Sequence, residues 1–155
     1  MNRFYDIPFV PCRELAPWEW RARNFQGTDG VFELAERIKM RSDIAGGVII
    51  LEAKMLSDLA SIPTVLMFLT MTTDDQRIGI PSWFHDHLYK SGGYIQVYNE
   101  DETPKAMVQL TRQQCDQILC DEGMVDCYAS VLDRWKVYRG LRMGGMFNFR
   151  QPVKP

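Results

Sequence analysis

Between Val31 and Met40 the apolar positions Phe32, Leu34 and Ile38 alternate in part with the charged positions Glu33, Arg37 and Lys39. A period of two puts one set of side chains on a core face and the other in water, which predicts a strand, with helix as the competing assignment for this run. Ser42-Asp43 and Gly46-Gly47 punctuate a connection before the β-branched run Val48-Ile49-Ile50-Leu51, so residues 31 to 56 are expected to form a β-hairpin. Small and polar residues in Ser57-Asp58-Leu59-Ala60-Ser61-Ile62-Pro63 then break the strand. Asp58 and Ser61 can bond nearby backbone amides and shape a turn there. A short apolar helix is expected at 65 to 69 and a polar loop at 72 to 79.

The pattern next changes to a helical period. Pro81 is placed as the first residue of a helix and Gly92-Gly93 as its end. Phe84 and Leu88 lie four apart on one face of it, and His85 and Tyr89 on a neighbouring face. Tyr94-Ile95-Gln96-Val97-Tyr98 alternates like a strand, 99 to 104 reads as an acidic turn, and Ala106-Met107-Val108 is expected to pair back as a second hairpin. Thr111-Arg112-Gln113-Gln114 has the form of a capping box, with the Thr side chain on the third-position amide and Gln114 reaching back. The helix that follows is expected to stop at Gly123. A last helix is expected from about Asp126 to Arg139, with Tyr128, Val131, Leu132, Trp135 and Tyr138 as its apolar stripe and Gly140 at its end. The element order predicts an α+β fold, with small β-hairpin or sheet elements on three or four helices, in a single domain over residues 31 to 147. Residues 1 to 30, interrupted by Pro8, Pro11 and Pro17, read as an irregular aromatic arm containing Trp18, Trp20 and Phe25. Residues 148 to 155 read as an irregular tail.

Composition narrows the partners. The chain has 155 residues, 46% hydrophobic and 25% charged, enough for one ordinary core. A net charge of −2 does not suggest general affinity for nucleic acid, although Arg134 to Arg142 forms a local basic patch. No secretory signal is expected, because Met1 to Val10 lacks a basic region followed by an apolar core. The longest apolar run, 62 to 71, contains Pro63, Thr64 and Thr70 and is far short of the ~20 residues that span a bilayer, so no transmembrane segment is expected. Cys12, Cys115, Cys120 and Cys127 form no CxxC pair, which argues against a structural zinc cluster and for buried, reduced thiols.

The densest candidate chemistry is Ser82-Trp83-Phe84-His85-Asp86-His87-Leu88-Tyr89, which holds both histidines. Helical geometry turns His85 and Asp86 about 100° apart and His87 roughly 200° from His85, so the two imidazoles do not readily share one metal. His85, between apolar positions and on the side of Tyr89, is the stronger candidate, and His87 is expected to be exposed. Asp116, one turn after Arg112, and Asp58 in the turn are the other acids of interest.

The segments SDLASIP, FHDHLY and LTRQQCDQIL occur in that order, followed by a terminal helix with VYRGLRMGG. Over residues 31 to 147 this pattern resembles domain-of-unknown-function family 1353, encoded by phages and prophages. The family's polar positions would fall on Asp58, Ser61, His85, Asp86, Tyr89, Arg112 and Asp116. Ser57 stands where Thr is common, and Cys115 where a small Ala is usual. The resemblance implies a tailed-phage or prophage origin and a compact α+β fold in which the three motifs meet.

Three readings follow. In the first, the chain is a virion-associated structural or assembly protein of a tail, baseplate or head–tail joint, made in the bacterial host cytoplasm. Its arm and tail would bind other phage structural proteins, and the polar network would only fix the fold. In the second, it is a metal-dependent hydrolase acting on cell-wall peptide. His85, Asp86 and Asp116 would hold Zn²⁺ or another divalent ion or act as base, and Asp58 would support them from behind. In the third, a metal-free His–Asp dyad uses His85 as general base, with Ser61 as a candidate nucleophile. The His-Asp-x-x-Tyr order is also similar to that of secreted phospholipases A2, but this chain lacks their disulfides and calcium loop.

Overall fold

The period-two run from Val31 splits into two strands. Phe32–Leu34 (β2) and Ile38–Ser42 (β3) belong to different sheets, so the hairpin expected over 31 to 56 is confined to β3 and Gly47–Leu51 (β4). The break at Ala35-Glu36-Arg37 is the point at which the partial alternation fails, since all three side chains are exposed. β3 alternates strictly, with Ile38, Met40 and Ser42 buried and Lys39 and Arg41 half-buried. It pairs antiparallel with β4 from Ile38 opposite Leu51 to Ser42 opposite Gly47.

The structure, a computed structural model, describes residues 12–24, 31–57, 76–144 and 149, with the backbone alone at 76–78. The turn expected at 57 to 63, apart from Ser57, and the short helix at 65 to 69, with Asp58, Ser61 and Phe25, lie outside the described residues. So does the tail apart from Phe149.

Part of the segment expected to be irregular is regular. Cys12–Glu14 (β1) pairs antiparallel with β2, which pairs in turn with Leu56–Ser57 (β5), and Pro17–Ala22 (α1) follows β1. Pro17 stands in the first turn, where its missing N–H costs nothing. The Glu19 carboxylate accepts from the Ala16 amide at 2.9 Å. Trp20 is buried with Leu15 and Val31, whereas Trp18 is exposed.

The central helix, Gln76–Lys90 (α2), begins before Pro81, within the segment expected to be loop. Pro81 is therefore interior, where it removes a backbone bond. Ile80, Trp83, Phe84 and Leu88 are all buried in the main core, and their burial offsets that loss. The end is as expected: Gly92 and Gly93 have φ of 63° and 77°, and the Gly93 amide donates to the Leu88 carbonyl at 2.8 Å. Tyr94–Tyr98 (β6) and Pro104–Gln109 (β7) form the second hairpin. β6 pairs with β4 at Val48 opposite Tyr98, giving an antiparallel sheet ordered β3-β4-β6-β7.

Arg112–Gln117 (α3) carries the expected capping box: the Gln114 amide donates to Thr111 Oγ1 at 3.2 Å and the Thr111 amide to Gln114 Oε1 at 2.9 Å. The chain does not stop at Gly123. It widens into a π-helical segment, Ile118–Gly123, and continues as Met124–Asp126 (α4). The wider turn presents Glu122 to the β3–β4 connection, where its carboxylate accepts from Ser42 Oγ at 2.6 Å and from the Asp43 amide at 2.8 Å. The last helix, Val131–Gly144 (α5), starts later than expected and runs past Gly140. Val137 and Leu141 make its buried face, packed with Leu119, Cys120 and Met124. Tyr128, Val131, Leu132 and Trp135, expected as the inward stripe, are exposed. The sequence offers two apolar faces on α5, and the turn at Cys127 and Tyr128 decides which one meets the core.

The fold is α+β: two antiparallel sheets and helices in a single compact domain, with α2 at its centre. No helix among the described residues is long and apolar enough to cross a membrane.

Candidate functional site

The site is assembled from α2, α3 and α5. His85 and Tyr89, four apart on α2, share a face as their spacing predicts, with ring centroids 4.1 Å apart. That face meets α3 at Asp116. Asp116 Oδ1 is 3.1 Å from His85 Nε2 and accepts a short hydrogen bond from the Tyr89 hydroxyl. From α5, Arg142 Nη1 donates to the other oxygen, Oδ2, at 3.0 Å. The three side chains His85, Tyr89 and Asp116 are fully buried, and Phe149 meets the Tyr89 ring edge-on at 5.2 Å.

Burial alone would raise the Asp116 pKa, but the hydrogen bonds from His85 and Tyr89, the charge of His85 and the hydrogen bond from Arg142 together hold it below the ordinary carboxylate value. Tyr89 is pushed the other way, chiefly by burial and then by its bond to Asp116, so its hydroxyl keeps its proton and remains a donor. With Asp116 ionised, the proton of the His85–Asp116 bond sits on Nε2. In the neutral imidazole His85 Nδ1 is then the lone-pair nitrogen, and it is buried with no hydrogen-bond partner among the described residues. Arg112 lies alongside: its Nη2 donates to the Arg142 carbonyl at 3.4 Å, and its Nη1 is buried with no such partner.

Asp86 is not part of this cluster. It is buried on another face of α2, where its Oδ2 accepts from Ser57 Oγ and from Lys90 Nζ, each at 2.6 Å. His85, Asp86 and Asp116 thus do not form one ligand set. Both oxygens of Asp116 are occupied by His85, Tyr89 and Arg142, while Asp86 faces Ser57 and Lys90. Among the described residues, no three His, Cys, Asp or Glu side chains group so as to hold a metal ion. The residues present do not fit the divalent ion expected at that triad.

His87 is half-buried rather than exposed, and burial lowers its pKa despite the opposing charge of Asp86. All four cysteines are free; Cys115 and Cys120 are buried as expected, but Cys12 is exposed and Cys127 half-buried. Burial and then the Asp116 charge push the Cys115 thiol up to about 12, which leaves it unreactive at neutral pH.

The sequence reading missed Arg142, Lys90 and Ser57 as site partners. Lys90 was within reach, because an acid and a lysine four apart on a helix form an ion pair. Arg142 lay inside the VYRGLRMGG segment and the basic patch, but nothing local in the chain points it at Asp116. Comparison of the chain with protein-family models, curated proteins and solved structures returns no match.

Proposed function

We propose that the chain is a hydrolase of carboxylic esters or amides in which His85 Nδ1 acts as general base. One observation carries the reading: His85 Nε2 is bonded to the ionised Asp116 at 3.1 Å, while Nδ1 is buried without a partner among the described residues. A buried polar atom left unpaired costs ~1–3 kcal/mol, and a working base is one reason for a fold to carry that cost. In the reaction, Nδ1 takes a proton from water as the water oxygen adds to the acyl carbon. Asp116 stabilises the imidazolium that forms, and the same proton passes to the departing alkoxide or amine as the carbon–oxygen or carbon–nitrogen bond breaks. Tyr89 and Arg142 fix the Asp116 carboxylate and so act as positioning residues. Arg112 is the side chain with a spare donor beside the dyad, suited to the oxyanion. The phage origin implied by the sequence resemblance would give such an enzyme a bacterial envelope as its setting.

The test is hydrolysis of a panel of p-nitrophenyl acyl esters and muropeptides by the wild-type chain and by His85→Gln, with circular dichroism to establish that the variant is folded. The expected result is turnover by the wild type and a fall of about 10²–10⁴-fold in the variant. A folded wild type that cleaves nothing in the panel, or a variant as active as the wild type, overturns the reading. Abolition of wild-type activity by a chelator would assign the chemistry to a bound cation instead of the dyad.

A further inference from the structure

Helix α5 turns an apolar face away from the core. Val131, Leu132, Trp135 and Met143 are 73%, 59%, 58% and 80% exposed. At 100° per residue these four positions fall within an arc of roughly 120°, opposite the buried Val137 and Leu141. Lys136 and Arg139 lie in or beside the same arc. The Arg139 guanidinium sits 5.7 Å from the Trp135 ring centroid, and no ion pair joins either cation to a described residue. Arg134 and Arg142 instead turn toward Asp121 and Asp116. The helix carries four cations against the single acid Asp133, whose carboxylate accepts from Ser130 at 2.7 Å, in a chain of net charge −2.

We infer that α5 is a docking helix for a membrane surface rich in anionic phospholipid. Charge complementarity selects this occupant. The chain as a whole is acidic, yet its outward apolar face carries Arg139 within the arc and Lys136 at its edge, neither ion-paired among the described residues, which suits a helix lying in the headgroup plane with its apolar side chains dipped toward the acyl region. Trp135 stacked under Arg139 suits the boundary itself, where an aromatic ring and a cation meet phosphate. Arg142, which lies between Val131 and Trp135 on the same helical wheel, reaches Asp116, so docking of α5 would bring the dyad close to the lipid surface. The inference stands on the surface of α5 and does not require that the dyad be hydrolytic.

The experiment is co-sedimentation of the full chain with vesicles of phosphatidylglycerol and phosphatidylcholine in equal parts, and with vesicles of phosphatidylcholine alone. Binding to the anionic vesicles is expected, weakening as salt is raised. The double variant Lys136→Gln/Arg139→Gln should bind roughly 25-fold less tightly, about five-fold per cation. Leu132→Ala/Trp135→Ala, at exposed positions, should also weaken binding while leaving the fold intact. His85→Gln should bind as the wild type does, which separates docking from catalysis. Failure to bind anionic vesicles, equal binding to neutral ones, or binding unaffected by both double variants overturns the inference. So does a concentration-dependent dimer in sedimentation equilibrium that Trp135→Ala abolishes, since the face would then be occupied by a second copy of the chain.

Discussion

Asp116 is the residue on which both the interior and the candidate chemistry depend. It is fully buried, and a buried carboxylate stays ionised only where donors replace its water. Here His85 and Tyr89 share one oxygen and Arg142 takes the other. Asp116→Ala leaves three donors without their acceptor, two of them inside the core. Removing one partner of a buried ionic network costs about 3–5 kcal/mol, and the lower end applies because Arg142 is 34% exposed and can turn to water. A loss of about 3 kcal/mol in urea denaturation is therefore expected at pH 7. The sign of its pH dependence follows from the lowered folded pKa. The stabilisation is fully present above the ordinary value of 3.8 and is lost as pH falls through the folded value, so the gap between wild type and variant should narrow only below pH 3.8. A gap that is small at pH 7, or constant into strong acid, would show that the ionised carboxylate is not what the network stabilises.

At the scale of elements, the tightest constraint is the approach of α2 to the π-helical segment. A Cβ added at Gly123 would lie 2.7 Å from Pro81 Cβ and 3.0 Å from Pro81 Cγ. Gly123 has helical backbone angles, so by propensity alone alanine would gain about 1 kcal/mol there. The pyrrolidine ring cannot rotate aside as a flexible side chain would, and overpacking costs ~1–3 kcal/mol. Gly123→Ala should thus be destabilising, and a raised denaturation midpoint would contradict the close approach. This contact also shows why sequence patterns carry only so far. Pro81 reads locally as a helix start and Gly123 as a helix stop, yet each lies inside a longer helical run, where tertiary packing outweighs its local preference. The second hairpin, the Thr111–Gln114 cap and the Gly92-Gly93 end were readable because turn and cap chemistry decides them within a few residues. The inner face of α5 was not, since two apolar stripes are available and only the 127–130 turn selects between them. At the site, helical spacing gives His85 with Tyr89 and sets His87 apart, but it leaves Asp86 grouped with His85, and only the packing against Ser57 and Lys90 separates them. The pairing with Asp116, 31 positions along the chain, and with Arg142 on a third helix depends on how helices cross, which no local period encodes.

Across the whole molecule the two sheets are unequal. The four-stranded sheet and α2 share the main core, whereas the β1–β2–β5 sheet has its own small cluster of Leu15, Trp20 and Val31, joined to the main core through Leu34. All three β1 side chains are exposed, so β1 is held by its ladder to β2, by the bond from the Leu15 amide to the Val31 carbonyl at 2.8 Å, and by the half-exposed Arg13, which donates to Glu33 and Glu19 at 3.1 Å each. A unit with so little buried apolar area opens at a lower free energy than the core that carries it. Native-state hydrogen exchange should therefore release the amides of β1 and α1 well before those of β4, β6 and α2. Trp20→Ala removes the largest side chain of the small cluster, a change that costs about 3 kcal/mol where a Trp is buried. That loss should appear mainly as faster exchange in β1 and α1, with β4, β6 and α2 much less affected, because Trp20 is not part of the cluster around α2. If Trp20→Ala instead lowers protection equally throughout, the two sheets unfold as one unit and His85, Tyr89 and Asp116 share the stability of β1. If the loss stays local, the dyad is insulated from opening at the β1 edge, and its geometry rests on α2, α3 and α5 alone.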